Sequence, residues 1–163
     1  MASAAGPSRR YGFASRARLD RRESRSQIAA EIARYVGAVS LLLVGAVHAE
    51  LYYEEYYNEI PTIGRLFLLA FVGAACCGAI LFAPLRRFGR GWGDRLLVLA
   101  ALGGIGIAVG TFVSLLVSEY TPVFGFTESG YRFSIVVTFV LDVVTTALLG
   151  LFVVVVGHSA VRR

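Results

Sequence analysis

"FSIVVTFVLDVVTTALLGLFVVVVG", residues 133 to 157, holds a single charged side chain, Asp142, in 25 positions. Crossing roughly 30 Å of hydrocarbon takes about 20 mostly apolar residues in a helix rising 1.5 Å per residue. With no water in the bilayer core, a spanning segment must satisfy its own backbone, as a helix or as part of a closed barrel. Apolar residues run on here without the strict alternation of a barrel strand, so the stretch predicts a transmembrane helix.

Three more segments fit the same template: about 32–49, 63–85 and 96–117. The expected fold class is therefore all-α, a membrane-embedded four-helix bundle occupying residues 29–163. The whole chain agrees, since 163 residues that are 56% hydrophobic, with a mean hydropathy of +0.67, exceed what a water-soluble core needs. All 16 basic residues are arginines, set against 11 acidic ones.

The arginines also predict orientation, because positive charge is retained on the cytoplasmic side. Seven of them, from Arg9 to Arg25, precede the first span; Arg86, Arg87, Arg90 and Arg95 lie between the second and third; Arg162 and Arg163 end the chain. The other two connections carry Glu50, Glu54, Glu55 and Glu59, and Glu119 and Glu128. Both termini are expected to be cytoplasmic, in a multi-pass protein of the plasma membrane. Residues 1–28, rich in Ala, Ser and Arg and poor in large aliphatics, are expected to be a disordered cytoplasmic segment, with its arginines near anionic lipid headgroups. "VHA" ahead of Glu50 also has the small-x-small form of a cleavage site, which leaves removal of the first span open.

Between spans, close packing of small residues replaces the hydrophobic drive. Ala70, Ala74 and Gly78, with Gly73 and Cys77 beside them, form such a row on the second span, and Gly106, Gly110 and Ser114 on the third. They are expected at helix contacts, or alternatively at the surface of a homo-oligomer. Cys76 and Cys77, adjacent in an apolar run, are expected to act as small packing residues. On the fourth span Ser134, Thr138, Asp142, Thr146 and Gly150 recur every four residues, predicting a polar face turned into the bundle. Asp142 would sit on the order of 15 Å below the outer end of its helix, where an acid is costly unless protonated, paired or hydrated. Arg65, one turn into the second span, is its expected partner.

The remaining cluster is "VHAELYYEEYYNEIPTIG", residues 47 to 64. Continued as a helix, it puts Tyr52, Tyr53, Tyr56 and Tyr57 on one arc and Glu50, Glu54, Glu55 and Glu59 on the other, an amphipathic pattern suited to the headgroup level. His48, Tyr52 and Glu55 at i, i+4 and i+7, and Glu50 with Glu54, are the candidates for an outer cation or partner site. No H-E-x-x-H arrangement, phosphate loop or nucleophile elbow is present, so no metal, cofactor, catalytic residue or nucleic-acid partner is expected. Phe124, Phe126 and Tyr131 of the other outer connection are expected to fold over the tyrosine arc as a cap.

"HAELYYEEYYNEIPTIGRLFLLAFVGA" and "EYTPVFGFTESGYRFSIVVTFVLDVV" resemble stretches of small four-span membrane proteins of high-GC Gram-positive bacteria, in which a histidine and tyrosines precede an "IPxIGxLFLL" segment. The resemblance covers about residues 38–149 and implies a bacterial inner-membrane location without an activity. Two functions are expected: a non-enzymatic accessory or scaffold protein with an acidic-aromatic outer cap, or, alternatively, a small oligomeric transport or proton-coupled protein using Asp142.

Overall fold

The computed structural model describes residues 8–54, 61–121 and 133–161, all helical apart from the short connection at 83–89 and Thr121. Helix α1 covers Ser8–Glu54, α2 Pro61–Phe82, α3 Arg90–Tyr120 and α4 Phe133–Val161. Each contains a stretch long and apolar enough to cross a membrane: Ser24–Glu54, Thr62–Phe82, Gly91–Ser118 and Ile135–His158. The architecture is thus all-α with four packed candidate spans. At 1.5 Å per residue, α1 is about 70 Å long, so its helix runs back well beyond the span to Ser8, through residues expected to lack a core. Among the described side chains, burial begins at Ala30.

Local chemistry sets the helix ends. Pro61 opens α2, where its missing N–H costs no hydrogen bond. Pro84 closes it: the residue before a proline is pushed out of helical geometry, so α2 stops at Phe82 rather than at the expected Leu85. A 3-10 turn, Leu85–Arg87, follows. Gly89, at φ 150°, redirects the chain, and α3 begins at Arg90, six residues before the expected start at 96. Gly93 is what lets α3 start there. A Cβ on it would lie 2.7 Å from the Leu85 carbonyl oxygen, so the first turn of α3 packs directly on the backbone of the 3-10 turn.

The helices form a ring. Helix α1 packs on α2 and α4, α3 closes against both, and α1 meets α3 only weakly across the diagonal. The inward positions alternate by three and four residues. On α4 they are Ile135, Thr138, Asp142, Thr145, Leu149 and Phe152; on α3, Leu97, Ala101, Gly104 and Ala108. This is the mean spacing of 3.5 that keeps a seam facing its partner in antiparallel bundles. Around the outside, Leu69, Leu99, Val140 and Val154 are exposed, which suits helices whose solvent is lipid.

Candidate functional site

The chemistry-bearing side chains of the spans collect at three levels of the bundle. In the middle, Asp142 is 1% exposed. Its neighbour is Thr111 of α3, whose Oγ1 donates to Oδ2 at 3.0 Å, while Oδ1, also buried, has no hydrogen-bond partner among the described residues. Thr111 Oγ1 lies equally close to its own helix's carbonyls, 2.9 Å from Ile107 and 3.0 Å from Ala108. A hydroxyl has one proton to donate. It serves either the carboxyl group or the backbone at a given moment, and when it serves the backbone its lone pairs can accept from a protonated Asp142. Beside this pair, Phe112 and Phe139 join α3 to α4 with ring centroids 4.4 Å apart.

One turn along α4, a second contact crosses to α1. Thr145, fully buried, donates to Ser40 Oγ at 2.8 Å, and Ser40 donates onward to the Leu141 carbonyl at 3.2 Å. Both hydroxyls, Thr145 and Ser40, thus have an acceptor. Sequence reasoning identified neither Ser40 nor Thr145, nor Thr111.

The expected four-residue row therefore divides. Thr138 and Asp142 are buried, but Thr146 is only half-buried and its neighbour Thr145 takes the inward place. The Ser134 side chain lies outside the described residues. Arg65 does not meet Asp142: it is exposed and forms no ion pair among the described residues. It sits two residues past buried Ile63, hence about 200° round the helix, on the outer face where a long side chain can reach the interface. The small-residue rows divide too. Ala70, Ala74 and Gly78 are buried, and Gly73 and Cys77 lie half-buried against Ile107 and Gly103. Gly106, Gly110 and Ser114 are exposed instead, and Gly104, between Leu41 and Leu149, makes the contact expected of them.

At the level of Glu50, His48 turns inward. It is 6% exposed, its Nδ1 donates to the Val44 carbonyl at 2.8 Å, and its ring lies 5.2 Å from that of Phe67 on α2. Glu50 and Glu54 are exposed, and Tyr52 stacks edge-on against Tyr53. Among the described residues, no three His, Cys, Asp or Glu side chains gather where they could hold a metal ion. Glu55, Tyr56, Tyr57 and Glu59, and the cap residues Phe124, Phe126 and Tyr131, lie outside the described residues.

At the opposite end an ionic network ties three elements together. Glu31 of α1 accepts from Arg34 at 2.8 Å and from Arg86, and Arg86 Nε donates to Asp94 of α3 at 2.6 Å. Burial pulls the Arg86 pKa down, but the hydrogen bonds and charges of Asp94 and Glu31 outweigh it and leave it above the ordinary arginine value. Arg34 is 4% exposed, and its guanidinium carbon sits 4.3 Å from the Tyr35 ring centroid. The signal for this network was present in the sequence as an i, i+3 acid–base pair at the head of the first span, with Arg86 and Asp94 across the connection.

Four long apolar helices, packed through small residues and hydroxyls and apolar on the outside, define an integral membrane protein with four candidate spans. Comparison with protein-family models, with curated proteins and with solved structures finds no match.

Proposed function

We propose that the chain is a non-enzymatic accessory or scaffold protein of the plasma membrane, with both termini cytoplasmic. The observation that carries this is how the span hydroxyls are spent. Thr145, Ser40 and Thr111 bond across helices, as side chains do when they fix the register of a bundle. A bundle clamped this way suits a platform whose contacts lie at its ends, where arginines crowd one side and Glu50 and Glu54 are exposed on the other. Crosslinking in native membranes tests it. A constant partner, recovered in fixed proportion, is the expected result; recovery of only abundant bystanders would remove the reading.

Asp142 favours a second. Its unpartnered Oδ1 and the divided loyalty of Thr111 suit a group that takes up and releases a proton, in a small oligomeric transporter or proton-coupled protein. Intramembrane acids often have such roles. With the chain in liposomes, Asp142→Asn should then abolish a pH- or cation-dependent flux while leaving the fold intact, and an unaltered flux would exclude it.

A further inference from the structure

At the end of the bundle bearing the ionic network, α1, α3 and α4 part to leave a groove of ≈ 1370 Å³. That exceeds the roughly 300–1,000 Å³ of ordinary small-molecule pockets. It opens on the outer, lipid-facing surface, and its walls are apolar, from Ile32 and Val36 of α1, Leu99 of α3 and Val153 of α4. Its rim is polar, from Ser24, Gln27, Arg86 and Arg95. From Ser24 to Val36 the groove runs about 18 Å along α1 at 1.5 Å per residue. Polarity thus falls along it from ionic to aliphatic over the distance from a headgroup into the acyl region of one leaflet.

The charges at the rim do not simply cancel. Of the charged groove residues Glu31, Asp94, Arg86 and Arg95, Arg86 pairs with both acids, and Glu31 is also met from behind the groove by buried Arg34. Arg95 is left over, exposed and without an ion pair among the described residues. An amphiphile seated in this groove therefore meets an uncompensated cation at its polar end.

We propose that the groove binds one anionic glycerophospholipid from the bilayer, its acyl chain against Ile32, Val36, Leu99 and Val153 and its phosphate on Arg95, with Ser24 and Gln27 at hydrogen-bonding positions on the rim. This is a discrete site, separate from any diffuse attraction of the arginine-rich segment for headgroups, and it does not depend on the accessory reading.

The only tryptophan of the chain, Trp92, is 73% exposed and lies one turn ahead of Arg95 on α3, beside the groove residue Gly91. It serves as a built-in reporter. The full-length protein is placed in phosphatidylcholine nanodiscs, and phosphatidylglycerol or phosphatidylcholine with brominated acyl chains is introduced at increasing mole fraction. Brominated phosphatidylglycerol should quench Trp92 with saturation, while the choline lipid quenches only in proportion to its share. Arg95→Gln should raise the half-saturating fraction about tenfold or more, the factor that losing a hydrogen bond to a charged group represents, and Arg95→Lys should largely preserve it. Arg87→Gln is the control, because Arg87 is exposed at the same end but outside the groove. Circular dichroism melts establish that each variant is folded. Equal quenching by the two lipids overturns the proposal, and so does an effect of Arg87→Gln as large as that of Arg95→Gln, which would mean general surface attraction.

Discussion

Gly104→Ala and Gly106→Ala, two residues apart on one helix, should have opposite consequences. A Cβ on Gly104 lies 2.7 Å from Leu41 Cδ2 and 2.9 Å from Leu149 Cδ1. Both leucines are fully buried, one on α1 and one on α4, so neither has open space to swing into. Overpacking of a filled core costs about 1–3 kcal/mol. A Cβ on Gly106 meets nothing within 4 Å, so that variant keeps only the helical advantage of alanine over glycine, up to about 1 kcal/mol. The helical gain applies to both variants and cancels, so the two should differ by about 1–3 kcal/mol, with the parent protein between them. The assay is unfolding of the full chain in mixed micelles by increasing SDS mole fraction, followed by far-UV circular dichroism. If Gly106→Ala proves the more damaging of the two, the row Gly106, Gly110, Ser114 faces the bundle and the packing described above is refuted.

Three other outcomes follow from the same unfolding measurement. A double-mutant cycle on Ser40→Ala and Thr145→Val should give a coupling of about 0.6 kcal/mol, with about 1.7 as the upper range for hydrogen bonds between membrane helices; zero coupling would break the α1–α4 contact. Thr111→Val removes the one donor to Asp142 among the described residues and should cost about 1–3 kcal/mol, an effect that should shrink sharply in an Asp142→Leu background. Arg34→Gln removes the buried base, while Glu31, a third exposed, keeps Arg86, so it should cost about 1–3 kcal/mol. Arg86→Gln, releasing half-exposed acids, should cost no more than about 1 kcal/mol, and the reverse ranking would misplace the network.

Much of this was open to reading from residues alone, and the division has a physical cause. Span number depends on summed hydropathy, which a sequence carries directly; hence the runs around Leu41, Ala74, Ala108 and Leu149 each mark a helix. Register depends on angle. A row spaced by four turns about 40° per step at 100° per residue, so from Ser134 to Gly150 it has rotated by about 160° and cannot keep one face inward. Alternating steps of three and four nearly cancel, which is why Thr145 and Leu149, rather than Thr146 and Gly150, complete the buried seam. The partner of Asp142 was missed for a related reason. A charge suggests an opposite charge, yet Arg65 stands beside Ile63 on the wrong side of α2, and a hydroxyl on α3 at the right height serves instead. That choice needed the relative height and rotation of two helices, which no single sequence window contains. Helix ends were better marked at the start of α2 than at its connection to α3: Pro61 was legible, whereas the approach of Gly93 to Leu85 is a tertiary contact.

The four helices pack through seams of three-and-four spacing, with Asp142 on the inner face of α4. Spin-label scanning tests this packing most directly: single cysteines at positions 138 to 154, in a chain lacking Cys76 and Cys77, are labelled in liposomes and their accessibility to oxygen dissolved in the lipid is measured by electron paramagnetic resonance. Minima at 142, 145, 149 and 152, with maxima at 140, 143, 151 and 154, are the predicted result. Minima at 142, 146 and 150, or high oxygen accessibility at 142 itself, would contradict the account.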